Sequence, residues 1–94
     1  MLSQAADADL ANILSYSIEL FGREVAEDYL RSFERSFDLL RDHPAAGAIH
    51  PDITPPIHSI PHRSHRIYYD IIEDRLVVQR VLHKAMDAGR WLGG

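Results

Sequence analysis

From Ser3 onward the apolar residues recur at helical spacing: Ala6, Leu10, Ile13, Leu14 and Phe21, with Ser17 on the same stripe. Ser3 is placed to cap this helix, and Asp7 and Asp9 complement the positive end of its dipole. Gly22 is the natural stop. A second stripe follows at once, Ala26, Leu30, Phe33, Phe37 and Leu40, spaced four, three, four and three apart, and Pro44 ends it. Two helices joined around one glycine predict an antiparallel hairpin. Glu24, Glu27, Asp28, Arg31, Glu34, Arg35, Asp38 and Arg41 fall mostly opposite the apolar stripe, so they read as solvated surface.

Residues 44–56 hold four of the five prolines and no clear period, which predicts an irregular connection too short to divide domains. Beyond it the period drops to two. Ile57 to His62, His65 to Ile72 and Arg75 to His83 read as strands, with Pro61 confining the first to an edge or a bulge and Glu73-Asp74 forming a tight turn. The expectation is an α+β fold, a single domain over residues 1–94, with the helical hairpin packed on a small antiparallel sheet. Alternation puts Ile67, Tyr69 and Ile71 on the helix-facing side, and Arg66, Tyr68 and Asp70 on the other. If Arg80 shares that second face, it either holds phosphate and stacks bases or carries cross-strand ion pairs among Arg66, Asp70 and Arg80.

Composition narrows this picture without redirecting it. At 94 residues, 46% hydrophobic and 26% charged, the chain suits one globular domain with a modest core. The absence of cysteine excludes disulfides and thiolate metal sites and fits a reducing cytoplasm. The N-terminus has no secretory pattern, and no apolar run is long enough for a membrane span. The net charge of −4 is uneven: residues 1–43 hold nine acidic and four basic side chains, residues 44–94 five and six. Five of the six histidines also lie in the second half, which directs attention there.

His58, His62 and His65 match no zinc spacing, so exposed strand-end histidines are expected and no metal or cofactor is assigned. Neither a nucleophile elbow nor a phosphate-cradling glycine loop is present. The one catalytic grouping the sequence offers is Arg66, Arg80 and His83 beside Tyr68, suited to RNA cleavage with His83 as general acid or base. It lacks a second proton-transfer group, since Lys84 and Asp87 have the wrong charge states. The tail is dense for a chain end, with His83, Lys84, Asp87, Arg90 and Trp91 close together. Met86, Trp91 and Leu92 read as anchors, and His83 and Asp87 stand at i, i+4 for a local hydrogen bond.

Leu2-Ser3, Ala5, Ala6, Asp9-Leu10, Ile13, Tyr16, Phe21-Gly22, Ala26, Tyr29, Leu40, Pro44 and Gly47 together resemble the RelE/ParE toxin superfamily. His65-Arg66-Ile67-x-Tyr69, with Val78-x-Arg80-Val81-Leu82-His83-x-x-Met86-Asp87, is most similar to its ParE branch. The resemblance implies a bacterial cytoplasmic toxin of a type II toxin–antitoxin module, inhibiting growth by binding DNA gyrase and neutralised by a ParD-like antitoxin in a possible higher-order complex. On that footing we expect the target contact at His83, Lys84, Asp87, Arg90 and Trp91, and the antitoxin contact in the apolar groove between the helical hairpin and the sheet together with Arg66, Tyr68 and Arg80. The alternatives are a RelE-like messenger RNA interferase using Arg66, Arg80 and His83, or a non-toxic relative that only forms complexes. Lys84 stands where interferase relatives carry a tyrosine. Only Met1 precedes Leu2-Ser3, so the family's first strand is expected to be shortened or missing, leaving an edge for an antitoxin or a second copy to cover.

Overall fold

Both apolar stripes form helices in the computed structural model, which describes residues 1–92: α1 (Gln4–Phe21) and α2 (Arg23–Asp42). A four-stranded antiparallel sheet follows in sequential order, β1 (Ala48–His50), β2 (Ile57–His62), β3 (His65–Ile72) and β4 (Arg75–His83). A single turn of helix, α3 (Ala88–Trp91), ends the described chain. Ser3 caps α1 as its position predicts, its hydroxyl accepting from the Ala6 amide at 3.0 Å. Gly22, at φ 87°, closes α1 and opens α2, a conformation that penalises any side chain. No described helix is long and apolar enough to cross a membrane.

Within the segment expected to be irregular, the structure builds a short 3-10 turn at Pro44–Ala46 and then β1, paired to β2 through Ala48↔Ser59, Ile49↔His58 and His50↔Ile57. Three residues are too few to show a period, and the hydrogen bonds of β1 come from a distant partner. At the other end of the chain the first strand is reduced to one parallel bridge, Leu2 to Val78. The Val78 amide donates to the Met1 carbonyl at 2.8 Å, and the Ser3 amide donates to the Val78 carbonyl at 2.9 Å. Asp9 then accepts from the Val81 amide at 2.9 Å. The β4 edge that was expected to await a partner is therefore closed by the chain itself along residues 78–81.

The helix-facing core comprises Ala6, Ile13, Phe33, Phe37, Leu40, Ile67, Tyr69, Val78 and Val81. A register shift between Tyr68 and Tyr69 sets Arg80 opposite Tyr68 and Val78 opposite Tyr69, leaving Gln79 as the extra residue. Val78 and Val81, three apart, thus both serve the helix-facing core, while Leu82 turns to the other side.

That other side is the main departure from expectation. Tyr68, only 5% exposed, belongs to a second apolar cluster with Ile53, Ile57 and Leu82, covered by Met86, Ala88 and Leu92 of the tail. Burying side chains such as Tyr68 and Leu82 stabilises by about 1.5–3 kcal/mol each, enough to dock a tail that would otherwise fray. The face is largely dry, and the expected cross-strand ion pairs are absent among the described residues. Arg66 bonds Ser59, Asp70 accepts from the Ile71 amide, and Arg80 pairs with Asp9 of α1.

Candidate functional site

A concavity of about 940 Å³ lies where the far end of the helical hairpin meets the β2–β3 turn and the end of β4. Its apolar floor arises because the α1 stripe outruns the sheet beneath it. Ala6, Ile13 and Ser17 are buried, but Tyr16, Leu20 and Phe21 are 65%, 54% and 63% exposed, and Val25 of α2 adds 54%. Arg31, Arg35 and Arg63 stand on the rim with His65 and His83, and Asp28, paired to Arg31, is the acidic group that lines it. Arg63 is held there by the turn itself, at φ 54°, with its guanidinium 5.6 Å from the Tyr29 ring centroid. An apolar trough with a basic rim suits an amphipathic, acid-flanked peptide.

His62 and His65 turn from the sheet toward the helices, His65 lining the groove, and are not the exposed strand ends expected from spacing. His62 lies stacked on Phe33 at 4.1 Å, with Ser32 at 2.8 Å from Nε2 and Ser36 at 2.9 Å from Nδ1. His65 shares a 2.7 Å hydrogen bond with the Tyr29 hydroxyl and meets His83 edge-on at 5.5 Å. Desolvation holds both His62 and His65 below the ordinary histidine value, reinforced by Arg63 and Arg35 for His62, and by His83 and His62 for His65. Both are neutral at pH 7. Their inward placement follows from the alternation that sends Ile60 and Ile67 to the helices, a consequence of register that lone histidines do not announce.

Among the sequence-predicted residues, Arg80 is the most constrained. Its Nε and one terminal nitrogen each donate to the Asp9 carboxylate at 2.8 Å, raising its pKa further, while the other terminal nitrogen donates to the Trp91 carbonyl at 3.3 Å. The guanidinium also lies 5.5 Å from the Trp91 ring centroid. Arg66 donates through Nε to the Ser59 hydroxyl at 2.7 Å, and His50 reaches the same hydroxyl at 2.6 Å. His83 is exposed and accepts from the Ala85 amide at 3.1 Å. The three residues of the catalytic alternative therefore engage three separate sets of partners.

In the tail, residues 83–86 form a turn closed by the Met86 amide donating to the His83 carbonyl at 2.9 Å, and Asp87 caps α3 by accepting from the Gly89 amide at 3.1 Å. The expected His83–Asp87 hydrogen bond does not form, because i, i+4 neighbours meet only on a helix. Met86 and Leu92 pack down as anchors; Trp91 stays 46% exposed beside the exposed Lys84 and Arg90. Sequence reasoning missed the role of Asp9 and the groove's Arg63, Arg31 and Arg35. One signal was available: Tyr16, Leu20, Phe21 and Val25 crowd around Gly22, more apolar surface than a hairpin tip needs.

Comparison with known proteins agrees with this architecture. The profile of a family described as the ParE toxin of the type II toxin–antitoxin system parDE matches residues 1–88. Toxin ParE1 of Caulobacter vibrioides is 33% identical over 92 residues, covering 98% of this chain and 95% of its own length. Toxin ParE1 of Mycobacterium tuberculosis is 33% identical over 91 residues, covering 96% and 93%. A solved structure of the chromosomal ParDE system from P. aeruginosa shares the fold at a TM-score of 0.76 and 18% identity, over 87% of this chain and 90% of the other.

Proposed function

The chain belongs to the ParE toxin family of type II toxin–antitoxin systems, and from that premise we propose that it acts by binding, inhibiting DNA gyrase in the cytoplasm through its C-terminal tail while a ParD-like antitoxin neutralises it. The observation that carries the binding reading is the tail itself. It is docked by Met86 and Leu92, pinned by Arg80, and still presents Lys84, Arg90 and Trp91 to solvent with His83 and Asp87 at its base. A rigid element with an exposed aromatic and two cations is suited to recognition.

For the antitoxin, the groove supplies the apolar area and Arg31, Arg35 and Arg63 the charge. Of the three residues first assigned to that contact, Tyr68 is buried and Arg80 is engaged with Asp9, while the terminal nitrogens of Arg66 have no partner among the described residues. Arg66 is the one that extends the contact onto the sheet. An antitoxin that reaches both surfaces spans a large part of this small domain, and bridging of several toxins into a higher-order complex follows if the antitoxin is itself oligomeric.

Supercoiling by purified gyrase, with and without the protein, is the deciding measurement. Inhibition that is lost on adding the co-encoded antitoxin is the expected result. Intact supercoiling together with cleavage of ribosome-bound message, abolished by His83→Ala or Arg66→Ala, would establish the interferase alternative. Induction without growth arrest would leave complex formation as the function.

A further inference from the structure

We propose that Asp9 of α1 is a positioning residue for target binding: together with Arg80 it forms a lock that sets the orientation of the C-terminal tail. This role rests on the reading of the tail as the target contact.

One carboxylate accepts three hydrogen bonds from β4, two from Arg80 at 2.8 Å each and one from the Val81 amide at 2.9 Å. It therefore satisfies a β4 amide as a strand partner would and grips a guanidinium side-on at the same time. A two-point grip fixes rotation about the long arginine side chain, which a single contact leaves free. Only 19% of the Arg80 side chain and 13% of the Asp9 side chain are exposed, so salt screens the pair little.

With its Nε and one terminal nitrogen held, Arg80 keeps its other terminal nitrogen aimed away from Asp9, and that nitrogen donates to the Trp91 carbonyl at 3.3 Å. The guanidinium also lies 5.5 Å from the Trp91 ring centroid. At the root of the tail the Lys84 amide donates to the Ser64 carbonyl at 2.9 Å, but beyond it the contacts with the sheet, Met86, Ala88 and Leu92 on the Tyr68–Leu82 cluster, are apolar and have no preferred direction. They hold the tail down; Arg80 turns it. Asp9 thus governs how Arg90 and Trp91 are presented, although it is far from them in sequence.

Trp91 is the sole tryptophan, so its fluorescence reports the tail directly. Asp9→Asn keeps the shape and an acceptor for Val81 but removes the charge; Arg80→Lys keeps the charge but removes the fork. Both variants should shift Trp91 emission to longer wavelength, increase its quenching by acrylamide, and weaken gyrase inhibition by about tenfold. Gly47→Ala, which lowers stability by crowding Tyr69 and the Ser59 carbonyl without touching Asp9 or Arg80, should leave emission and inhibition unchanged.

Unaltered Trp91 emission in folded Asp9→Asn, or in Arg80→Lys if the first variant does not fold, overturns the lock. An equal change in Gly47→Ala also overturns it, because the effect would then be general loosening. If emission moves while inhibition stays intact, the positioning role is overturned, and Lys84→Ala and Arg90→Ala locate the fault. Full inhibition by those two variants means that the tail reading failed; its loss confines the failure to Asp9.

Discussion

The Gly47 amide donates to the Tyr69 hydroxyl at 2.8 Å, and that hydroxyl donates in turn to the Pro44 carbonyl at 2.7 Å. Through this one phenol, fully buried at 0% exposure, the proline-rich segment is tied to the central strand. A Cβ at position 47 would lie 2.5 Å from the Tyr69 hydroxyl oxygen, 2.8 Å from its Cε1 and 2.9 Å from the Ser59 carbonyl oxygen. Gly47→Ala should therefore destabilise the fold by about 1–3 kcal/mol through overpacking. Tyr69→Phe should cost about 1–3 kcal/mol by leaving the buried Gly47 amide and the half-buried Pro44 carbonyl without their partner. Urea unfolding checks both, and because the residues touch, the double variant should cost less than the sum. Full additivity would show that the two sites are independent.

Phe21→Glu and Leu20→Glu alter groove residues that are more than half exposed, so stability should change by no more than about 0.5 kcal/mol. Affinity for the co-encoded antitoxin should nevertheless fall by tenfold or more, since a carboxylate would replace the apolar floor. Calorimetric titration reads the affinity and thermal unfolding the stability. Wild-type affinity in both variants would remove the groove from the antitoxin interface.

Acidification should destabilise the protein through His62 and His65. Both are held below the ordinary value of 6.5, first by desolvation, so below pH 6.5 the unfolded chain binds more protons than the folded one. Stability then rises with pH across the window from their depressed folded values to 6.5, and is lost as pH falls through it. Chemical denaturation midpoints at several pH values would show this, and His62→Gln should flatten the slope in that window. An unchanged slope would mean that the His62 ring is not the proton acceptor.

Glu73 and Asp74 both sit in the left-handed region, at φ 50° and 64°, because a two-residue hairpin needs that hand to match the twist of β3 and β4. Neither is the residue such a turn prefers. Replacing the pair by Asn-Gly should stabilise by about 1 kcal/mol, equivalent to roughly 4–8 °C in Tm for a domain of this size. A lower Tm would mean that the Glu73 or Asp74 side chain contributes more than its backbone costs.

The type and order of the two long helices and the three longer strands were legible in the sequence. The stripe from Ala26 to Leu40 and the alternation from His65 to Ile72 became α2 and β3, and Ser3 and Gly22 became the caps they resembled. The tail anchors Met86 and Leu92 were also readable as apolar residues in an otherwise polar end. The candidate site was less legible. Arg66, Tyr68 and Arg80 look alike as members of one strand face, yet one is tethered to a serine, one is buried and one is gripped by a helix carboxylate.

What the sequence by itself determined is therefore the local part: two helices, the three longer strands and their turns, because periodicity and capping act over a few residues. Only the tertiary structure decided that the sheet face away from the helices is covered, where β1 pairs, and what the charged tail is fastened to. The reason is physical. The shift at Tyr68/Tyr69 changes the phase of β4 against β3, and the Asp9–Arg80 pair closes across 71 positions of chain, so neither leaves a mark in any short window of residues.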